Sequence, residues 1–232
     1  MTDDTLKAGG GGLKWPPLTI VVSGPSGAGK STLCEEFARR HPRVDLMVTT
    51  TTRPIRSGEV EGEDYHFVTP EAFQDGIRAD AFLEYAKVHQ HFYGSPRQKV
   101  EDSWARGHDV ILEIDVQGAL SVRRKVPDAL LLYVVTSDLK DLRRRLVGRG
   151  TDDSESIRIR LETAKTELEQ LHEYQYFIFN DDKEEALTQF ERIVEAERWR
   201  IARFDVARMF NPALLDAEDE PAPRGPASSA EA

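Results

Sequence analysis

The stretch VVSGPSGAGKSTL, residues 21–33, decides the fold of this chain. Its first residues complete the apolar run LTIVVSG, which predicts a buried β-strand. Its last residues open the segment KSTLCEEFARRH, in which Leu33, Cys34 and Phe37 share one face of a predicted helix. Between the strand and the helix lies a glycine-rich turn, which is typical of phosphate-binding sites. The sequence therefore predicts a strand, a loop and a helix that together bind a phosphate.

The loop fits the pattern G-x-x-x-x-G-K-[ST] at every fixed position, namely Gly24, Gly29, Lys30 and Ser31. In this pattern, backbone N–H groups and the positive end of the helix dipole surround the phosphates. The lysine reaches the β- and γ-phosphates, and the hydroxyl is a ligand of Mg²⁺. The pattern predicts binding of a nucleoside triphosphate with Mg²⁺, but it does not identify the acceptor. The loop residues predicted to bind the triphosphate are Gly24, Pro25, Ser26, Gly27, Ala28, Gly29, Lys30, Ser31 and Thr32.

The composition argues against several classes of function. The 232 residues carry a formal net charge of −10, whereas a general nucleic-acid-binding protein needs a basic face. No apolar run reaches membrane-spanning length, and the first residues do not resemble a secretory signal. The only cysteine, Cys34, has no internal disulfide partner, which suits a reducing cytoplasm. We therefore expect a cytoplasmic protein that binds neither nucleic acid nor membrane; nothing in the sequence specifies an oligomeric state.

Strand and helix patterns alternate along most of the chain, which predicts a parallel sheet wrapped by helices. Residues 44–50, VDLMVTT, are predicted to form one strand, and the last helix is predicted to run to about residue 204. The alternation is interrupted once, where turn residues and short alternating stretches predict a small β lobe. The predicted organisation is a flexible leader at 1–17, a core at 18–52, 98–144 and 172–204, the lobe at 53–97, a polar turn with a long helix at 145–171, and a largely disordered tail at 205–232.

The lobe contains the candidates for an acceptor site. Arg53 and Arg56 precede Tyr65, and two guanidinium groups with a phenol suit a phosphate monoester. Taken one at a time, Arg53 and Arg56 also fit solvated surface charges, and Tyr65 and Tyr93 also fit the core of the lobe. Glu84, on a predicted strand, also fits a solvent-facing position. Asp115 ends a buried apolar run, and at that position a role towards Mg²⁺ competes with ligand binding. The further carboxylates and hydroxyls are those of Glu84, Asp115, Tyr93 and Ser95.

Five segments of the chain, in this order, resemble those of guanylate kinases: SGPSGAGKSTL, TTRPIRSGEVEGEDYHF, FLEYAKVHQHFYGS, LEIDVQGA and GRGTDDSESIRIRL. The resemblance extends from about residue 18 to 204, and the lobe is its most specific part, since many nucleotide enzymes share the phosphate loop. It implies a P-loop NTPase fold with an inserted lobe that binds a nucleoside monophosphate and with a helical lid at 145–171. It also implies that the γ-phosphoryl group of ATP is transferred to GMP, with dGMP as a further acceptor, in purine nucleotide metabolism.

The resemblance also assigns roles on the acceptor side. It implies that the two arginines and two tyrosines hold the GMP phosphate, while Glu84, Ser95 and Asp115 read guanine. A carboxylate accepts hydrogen bonds from guanine N1–H and N2–H₂, which adenine does not offer. Glu113 stands where the family usually has aspartate, so its role towards Mg²⁺ stays open. The GMP-binding residues implied are Thr49, which stands where the family often has serine, with Arg53, Arg56, Tyr65, Glu84, Tyr93, Ser95 and Asp115.

The acceptor atom, a phosphate oxygen, is already anionic at neutral pH, so the reaction needs alignment and charge neutralisation rather than a side-chain base. The resemblance implies that arginines of the lid and its flanks reach the transferred group on closure and exclude water. Asn180 matches the loop on the adenine side. The residues implied as catalytic are Lys30, Arg53, Arg145, Arg149 and Arg160; Arg149 and Asn180 are also implied as ATP ligands, and Ser31 as the metal ligand.

Two other functions are compatible with parts of this pattern. Ribose bisphosphate kinases resemble guanylate kinases, but a set of base-reading residues has no use on a sugar phosphate. Guanylate-kinase-like domains of scaffold proteins bind other proteins and typically have degraded phosphate loops, whereas Lys30 and Ser31 are intact here. The sequence therefore favours an enzyme that uses GMP.

Overall fold

The structure, a computed structural model, describes residues 16–88, 90–148 and 169–204. The chain divides after Arg198 into two compact units. The second unit begins at Trp199, and its described part contains one 3₁₀ turn, Ile201–Arg203. All strands and α-helices of the described residues belong to the first unit, which also has a 3₁₀ turn at Leu171–Glu173.

The core of the first unit is a five-stranded parallel sheet. Its strands are β1 (Thr19–Ser23), β2 (Val44–Leu46), β7 (Asp109–Glu113), β8 (Leu130–Val135) and β9 (Tyr176–Phe179). They lie in the order β2-β7-β1-β8-β9, and each neighbouring pair is parallel. Nearly every residue of β1, β7 and β8 is buried, as expected for strands covered on both faces.

Helices cover both faces of this sheet. They are α1 (Lys30–Arg40), α3 (Arg97–Ala105), α4 (Val116–Lys125) and α6 (Lys183–Arg198), and a further helix, α5 (Leu139–Gly148), follows β8 in the chain. On one face, Phe37 of α1 stacks on Phe190 of α6 with ring centres 4.0 Å apart. On the other face, Val100 of α3 and Val122 of α4 pack in a second apolar cluster. The parallel sheet wrapped by helices is therefore as predicted.

A second, mixed sheet contains the residues of the predicted lobe. Its strands, in spatial order, are β4 (Tyr65–Phe67), β3 (Thr49–Thr51), β6 (His91–Pro96) and β5 (Phe82–Val88). Helix α2 (Pro70–Arg78) packs against it, and Phe73 stacks on Phe82 at 4.4 Å between ring centres. Thr69 begins this helix as its predicted N-cap, with Oγ1 accepting a hydrogen bond from the N–H of Ala72.

Two local predictions are wrong. Residues 44–50 do not form one strand, because β2 ends at Leu46 in the large sheet and β3 begins at Thr49 in the small one. Each half bonds to a different set of neighbours, and an apolar pattern does not say which strand will be the neighbour. The last helix ends at Arg198 rather than near 204, and both Trp199 and Ile201 beyond it are exposed, so no burial favours its continuation.

Three of the predicted segments fall partly or wholly outside the described residues: most of the leader, positions 149–168 of the lid region and the tail from 205. Over the described ranges, no helix combines the length and the apolar character that a membrane span requires.

Candidate active site

The phosphate-binding loop joins the end of β1 to the start of α1. Gly29 is the N-cap of α1 in a left-handed conformation (φ 82°), and in the described part of the chain no side chain caps this helix. The N-terminus of α1 is thereby open to an anion. Lys30 folds back over the loop, and its Nζ donates to the carbonyl oxygens of Gly24 (2.7 Å) and Pro25 (3.2 Å). The loop has the shape and charge of an anion site.

Two side chains from distant segments reach this loop. Asn180, at the end of β9, is 8% exposed, and its Nδ2 donates to the carbonyl oxygen of Ala28 at 2.7 Å. A Cβ atom added to Gly29 would lie 2.4 Å from that Nδ2 and 4.0 Å from Nη1 of Arg145 on α5. The structure therefore brings Asn180 and Arg145, both implied by the resemblance, against the loop. Asn180 also braces the loop itself, a role that the sequence did not indicate.

The end of β7 faces the start of α1. The hydroxyl of Ser31 donates to Oε1 of Glu113 at 2.9 Å. The charge of Glu113 also contributes, after burial, to the raised pKa of Tyr65 on the small sheet. Glu113 therefore lies close to groups of both sheets. Searched over the described residues, no cluster of three His, Cys, Asp or Glu side chains forms a metal site.

Four of the implied acceptor residues form one row across the small sheet. Glu84 of β5 pairs with Ser95 of β6, and the register of β3 on β6 places Thr49 beside Ser95. Thr49 also pairs with Tyr65 of β4. Side chains paired across neighbouring strands point to the same face of a sheet, and so do residues two apart on one strand. Tyr65, Thr49, Ser95 and Glu84 therefore share one face, together with Tyr93.

Glu84 is a buried carboxyl group, 2% exposed, which excludes the alternative of a solvent-facing strand residue. Its Oε1 accepts hydrogen bonds from the backbone N–H of Ser95 (3.1 Å) and from its hydroxyl (2.7 Å). Burial raises the pKa of Glu84 to about 7; the hydrogen bonds from Ser95 oppose this shift, and the negative charge of Asp115 adds to it. A buried carboxyl group that titrates near neutrality is typical of functional sites.

Asp115 lies beside Glu84 at the start of α4. It is the N-cap of this helix, where Oδ1 accepts a hydrogen bond from the N–H of Gly118 at 2.9 Å. Burial raises the pKa of Asp115. A Cβ atom added to Gly118 would lie 2.6 Å from Oε2 of Glu84 and 3.2 Å from Oδ1 of Asp115. The missing side chain of Gly118 thus lets both carboxylates approach one turn of α4, which no feature of the sequence indicated.

The arginines of the small lobe differ in their surroundings. Arg53 is 9% exposed, and its Cζ lies 5.2 Å from the ring centre of Tyr65, so it is not a solvated surface charge. Its guanidinium forms an ion pair with Glu59, a residue that the sequence did not single out. Arg56 is exposed. Burial raises the pKa of Tyr65 to about 12, which keeps its phenol protonated as a neutral hydrogen-bond donor.

Most of the implied site residues are brought together in this way. The phosphate loop, Asn180 and Arg145 form one group at the end of β1. The row on the small sheet, Asp115 and Arg53 form the other. Arg149 and Arg160 lie outside the described residues.

Comparisons of the whole chain with known proteins agree on one family. The sequence model of the family described as guanylate kinase matches residues 17–197. The guanylate kinase of Caldanaerobacter subterraneus subsp. tengcongensis is 41% identical over 191 residues, which are 82% of this chain and 93% of that protein. The guanylate kinase of Lactococcus lactis subsp. lactis is 45% identical over 186 residues, covering 80% of this chain and 91% of that protein.

A solved structure extends the comparison to three dimensions. The crystal structure of guanylate kinase from Anaplasma phagocytophilum matches with a TM-score of 0.72 at 30% sequence identity, covering 89% of this chain and all of that one. The match confirms the predicted P-loop α/β fold. It also agrees with the resemblance seen in the sequence, and the chain therefore belongs to the guanylate kinase family.

Proposed function

We propose that this chain transfers the γ-phosphoryl group of ATP to GMP, giving ADP and GDP, and that it also accepts dGMP. The observation that carries the proposal is the row of Tyr65, Thr49, Ser95 and Glu84 on one face of the small sheet, in a chain with an intact phosphate loop. Membership of the guanylate kinase family supports the same reaction.

Guanine recognition rests on the buried carboxylate of Glu84 and the partly buried carboxylate of Asp115. Guanine offers the N1–H and N2–H₂ donors, which the ionised Glu84 and Asp115 accept, while the hydroxyls of Ser95 and Thr49 supply further polar contacts. Glu84 is already fixed through Oε1 by Ser95, so Oε2 is the oxygen left for the base. With adenine these buried groups stay unpaired, which is costly.

Replacing Gly118 with alanine tests this arrangement. The new methyl group meets Oε2 of Glu84 at 2.6 Å, and Ser95 holds the other oxygen, so the carboxylate is displaced from its position. We expect the KM for GMP to rise about tenfold in steady-state assays, with the KM for ATP unchanged. Gln117→Ala, which changes an exposed residue of the same helical turn, is the control. Equal KM values for GMP in the Gly118→Ala variant and the wild type would show that the contact is irrelevant to base binding.

The acceptor phosphate is assigned to Arg53, Arg56, Tyr65 and Tyr93. Two guanidinium groups neutralise a dianion and bind its oxygens in pairs, and each phenol donates one further hydrogen bond. Arg53 is buried beside Tyr65, whereas Arg56 is exposed and reaches the ligand from the solvent side.

The donor triphosphate is assigned to the loop, with Lys30 on the β- and γ-phosphates. The residues present fit Mg²⁺, because the hydroxyl of Ser31 and the carboxylate of Glu113 are neighbouring oxygen donors and Mg²⁺ prefers oxygen. Ser31 would bind the ion, Glu113 would hold its water shell, and the ATP phosphates would supply further ligands. When bound, Mg²⁺ neutralises charge on the transferring phosphates. Arg145 beside Gly29, with Arg149 and Arg160, is assigned to the transferred group.

A panel of acceptors tests the proposal directly. With Mg-ATP as donor, the formation of ADP is measured with GMP, dGMP, AMP and ribose bisphosphate. We expect turnover with GMP and dGMP, and a kcat/KM for GMP about 10⁴-fold above that for AMP. Preference for the sugar phosphate would replace the proposal with a ribose bisphosphate kinase, and failure to bind ATP would indicate a protein-binding domain. A cytoplasmic location, and the lack of nucleic-acid and membrane partners, stay predictions.

A further inference from the structure

We propose that Glu59 is a positioning residue for the acceptor phosphate, which holds the guanidinium of Arg53 and the turn around Arg56 in the geometry that receives the ligand. The inference rests on the proposed function, since it concerns the phosphate of GMP. Glu59 itself does not contact the substrate. It acts through the two arginines.

The contacts of Glu59 connect both arginines of the turn. Its Oε1 accepts a hydrogen bond from Nη2 of Arg53 at 2.7 Å, and its Oε2 accepts one from Nη1 at 3.0 Å. The same Oε2 accepts a third hydrogen bond, from the backbone N–H of Arg56 at 2.8 Å. In addition, the N–H of Glu59 donates to the carbonyl oxygen of Arg56 at 3.1 Å. The carboxylate of Glu59 therefore fixes the guanidinium of Arg53 relative to the backbone of Arg56.

The ion pair between Arg53 and Glu59 is largely shielded from solvent, unlike an ordinary surface ion pair. The side chain of Arg53 is 9% exposed and that of Glu59 is 18% exposed. Hydrogen bonding to Arg53 lowers the pKa of Glu59, so the carboxylate is ionised at neutral pH. A bidentate pair of this kind fixes the plane of the guanidinium as well as its position.

The contacts leave one edge of Arg53 for a ligand. Nη1 is fully used, because it also donates to the carbonyl oxygen of Pro54 at 2.8 Å. Of five N–H groups on a guanidinium, the two that remain belong to Nε and Nη2. The pKa of Arg53 is raised by Glu59 and, to a lesser degree, by Tyr93, so Tyr93 also lies near this guanidinium. Glu59 therefore occupies one side of the Arg53 guanidinium and leaves Nε and Nη2 for the acceptor phosphate, to which Tyr93 is also assigned.

The alternative is that Glu59 occupies the phosphate site and leaves when the ligand arrives. Displacement would break three hydrogen bonds to Glu59 and leave its carboxylate unpaired beside a phosphate dianion. The two roles predict opposite changes in the affinity for GMP when Glu59 is replaced. Removing a positioning residue weakens GMP binding, whereas removing a competitor strengthens it.

The test is the variant Glu59→Gln, which keeps the size of the side chain and loses its charge. We expect the KM for GMP to rise about tenfold or more, while the KM for ATP stays within about twofold. The inhibition constant of guanosine, which carries the base and ribose without a phosphate, should stay unchanged. A role confined to stabilising the lobe would weaken guanosine and GMP alike. Glu59→Asp, which keeps the charge and retracts it by one methylene, should give an intermediate KM for GMP and serves if the glutamine variant does not fold.

The matched control is Glu61→Gln, two residues further on, where the carboxylate contacts His66 and the N–H of Phe67 and, among the described residues, no arginine. Its KM for GMP should equal that of the wild type. An unchanged or lowered KM for GMP in Glu59→Gln would overturn the inference, and so would a parallel rise in the guanosine constant. Because wild-type turnover of GMP is measured first, a failure of the proposed function is recognised separately.

Discussion

Replacing Lys30 with methionine is expected to lower the kcat for phosphoryl transfer to GMP by about 10³-fold. Methionine keeps most of the length of the side chain and removes the charge that faces the transferring group. In the structure, the ammonium group of Lys30 lies on the phosphate loop, where it donates hydrogen bonds to the carbonyl oxygens of Gly24 and Pro25. The change is measured as kcat at saturating Mg-ATP and GMP.

The loss should be confined to the donor side. The dissociation constant of GMP is expected to stay within about twofold of the wild type, because most of the acceptor residues lie on or next to the small sheet, whereas Lys30 lies on the phosphate loop. Lys99→Met, at an exposed position of α3, is the matched control and should keep full activity. A Lys30→Met enzyme with kcat within a few-fold of the wild type would contradict the assignment of the loop to the transferred phosphate.

The variant Glu84→Gln is expected to lose about 10²-fold or more in kcat/KM for GMP, while the KM for ATP is unchanged. The amide keeps an oxygen for the two hydrogen bonds from Ser95. It places an NH₂ group where the free carboxylate oxygen was, opposite the donors of guanine. In the wild type, the KM for GMP should rise as the pH falls below about 7, since the pKa of Glu84 is raised to about 7 and the protonated form is a poorer acceptor.

The same variant should be more stable than the wild type at pH 8. The pKa of Glu84 is about 7 in the folded protein and 4.5 ordinarily, so the folded state binds this proton more tightly. The stability linked to that proton is complete below about pH 4.5 and is lost as the pH rises to about 7. Glutamine carries no such loss, and it should raise the free energy of unfolding by about 2–3 kcal/mol at pH 8.

Denaturant unfolding of both proteins at pH 5 and pH 8 measures this difference. It should be small at pH 5 and reach its full value at pH 8. Glu101→Gln, at an exposed position of α3, should show no such pH-dependent gain. A Glu84→Gln protein that is less stable than the wild type at pH 8 would mean that the charge of Glu84 is compensated in the free protein.

Local patterns made much of the fold predictable from the sequence. The phosphate loop, α1 and the buried strands are continuous segments whose conformation follows from periodicity and from glycine positions. The division of residues 44–51 between two sheets was not predictable in this way, because strand pairing is decided by distant segments. The end of α6 at Arg198 likewise depends on where burial stops.

The same distinction between local patterns and contacts of distant segments applies to the site. Residue types and order pointed to Glu84, Ser95 and Arg53, but only strand register shows that the first two face each other. The sequence did not indicate Glu59 and Gly118, because their contacts join residues without a motif spacing. Glu59 is a carboxylate six positions after Arg53, and Gly118 is a helical glycine that faces Glu84 on β5. Their roles follow from distances alone.

The bond between Asn180 and the carbonyl oxygen of Ala28 spans 152 positions of the chain. On the ribosome the glycine-rich motif is made first, and the asparagine whose amide braces it follows 152 positions later. A nascent or truncated chain that stops before this asparagine carries the complete motif without its support. We therefore expect the chain to bind ATP only after this asparagine has been made, when the residues of the acceptor lobe have already been synthesised.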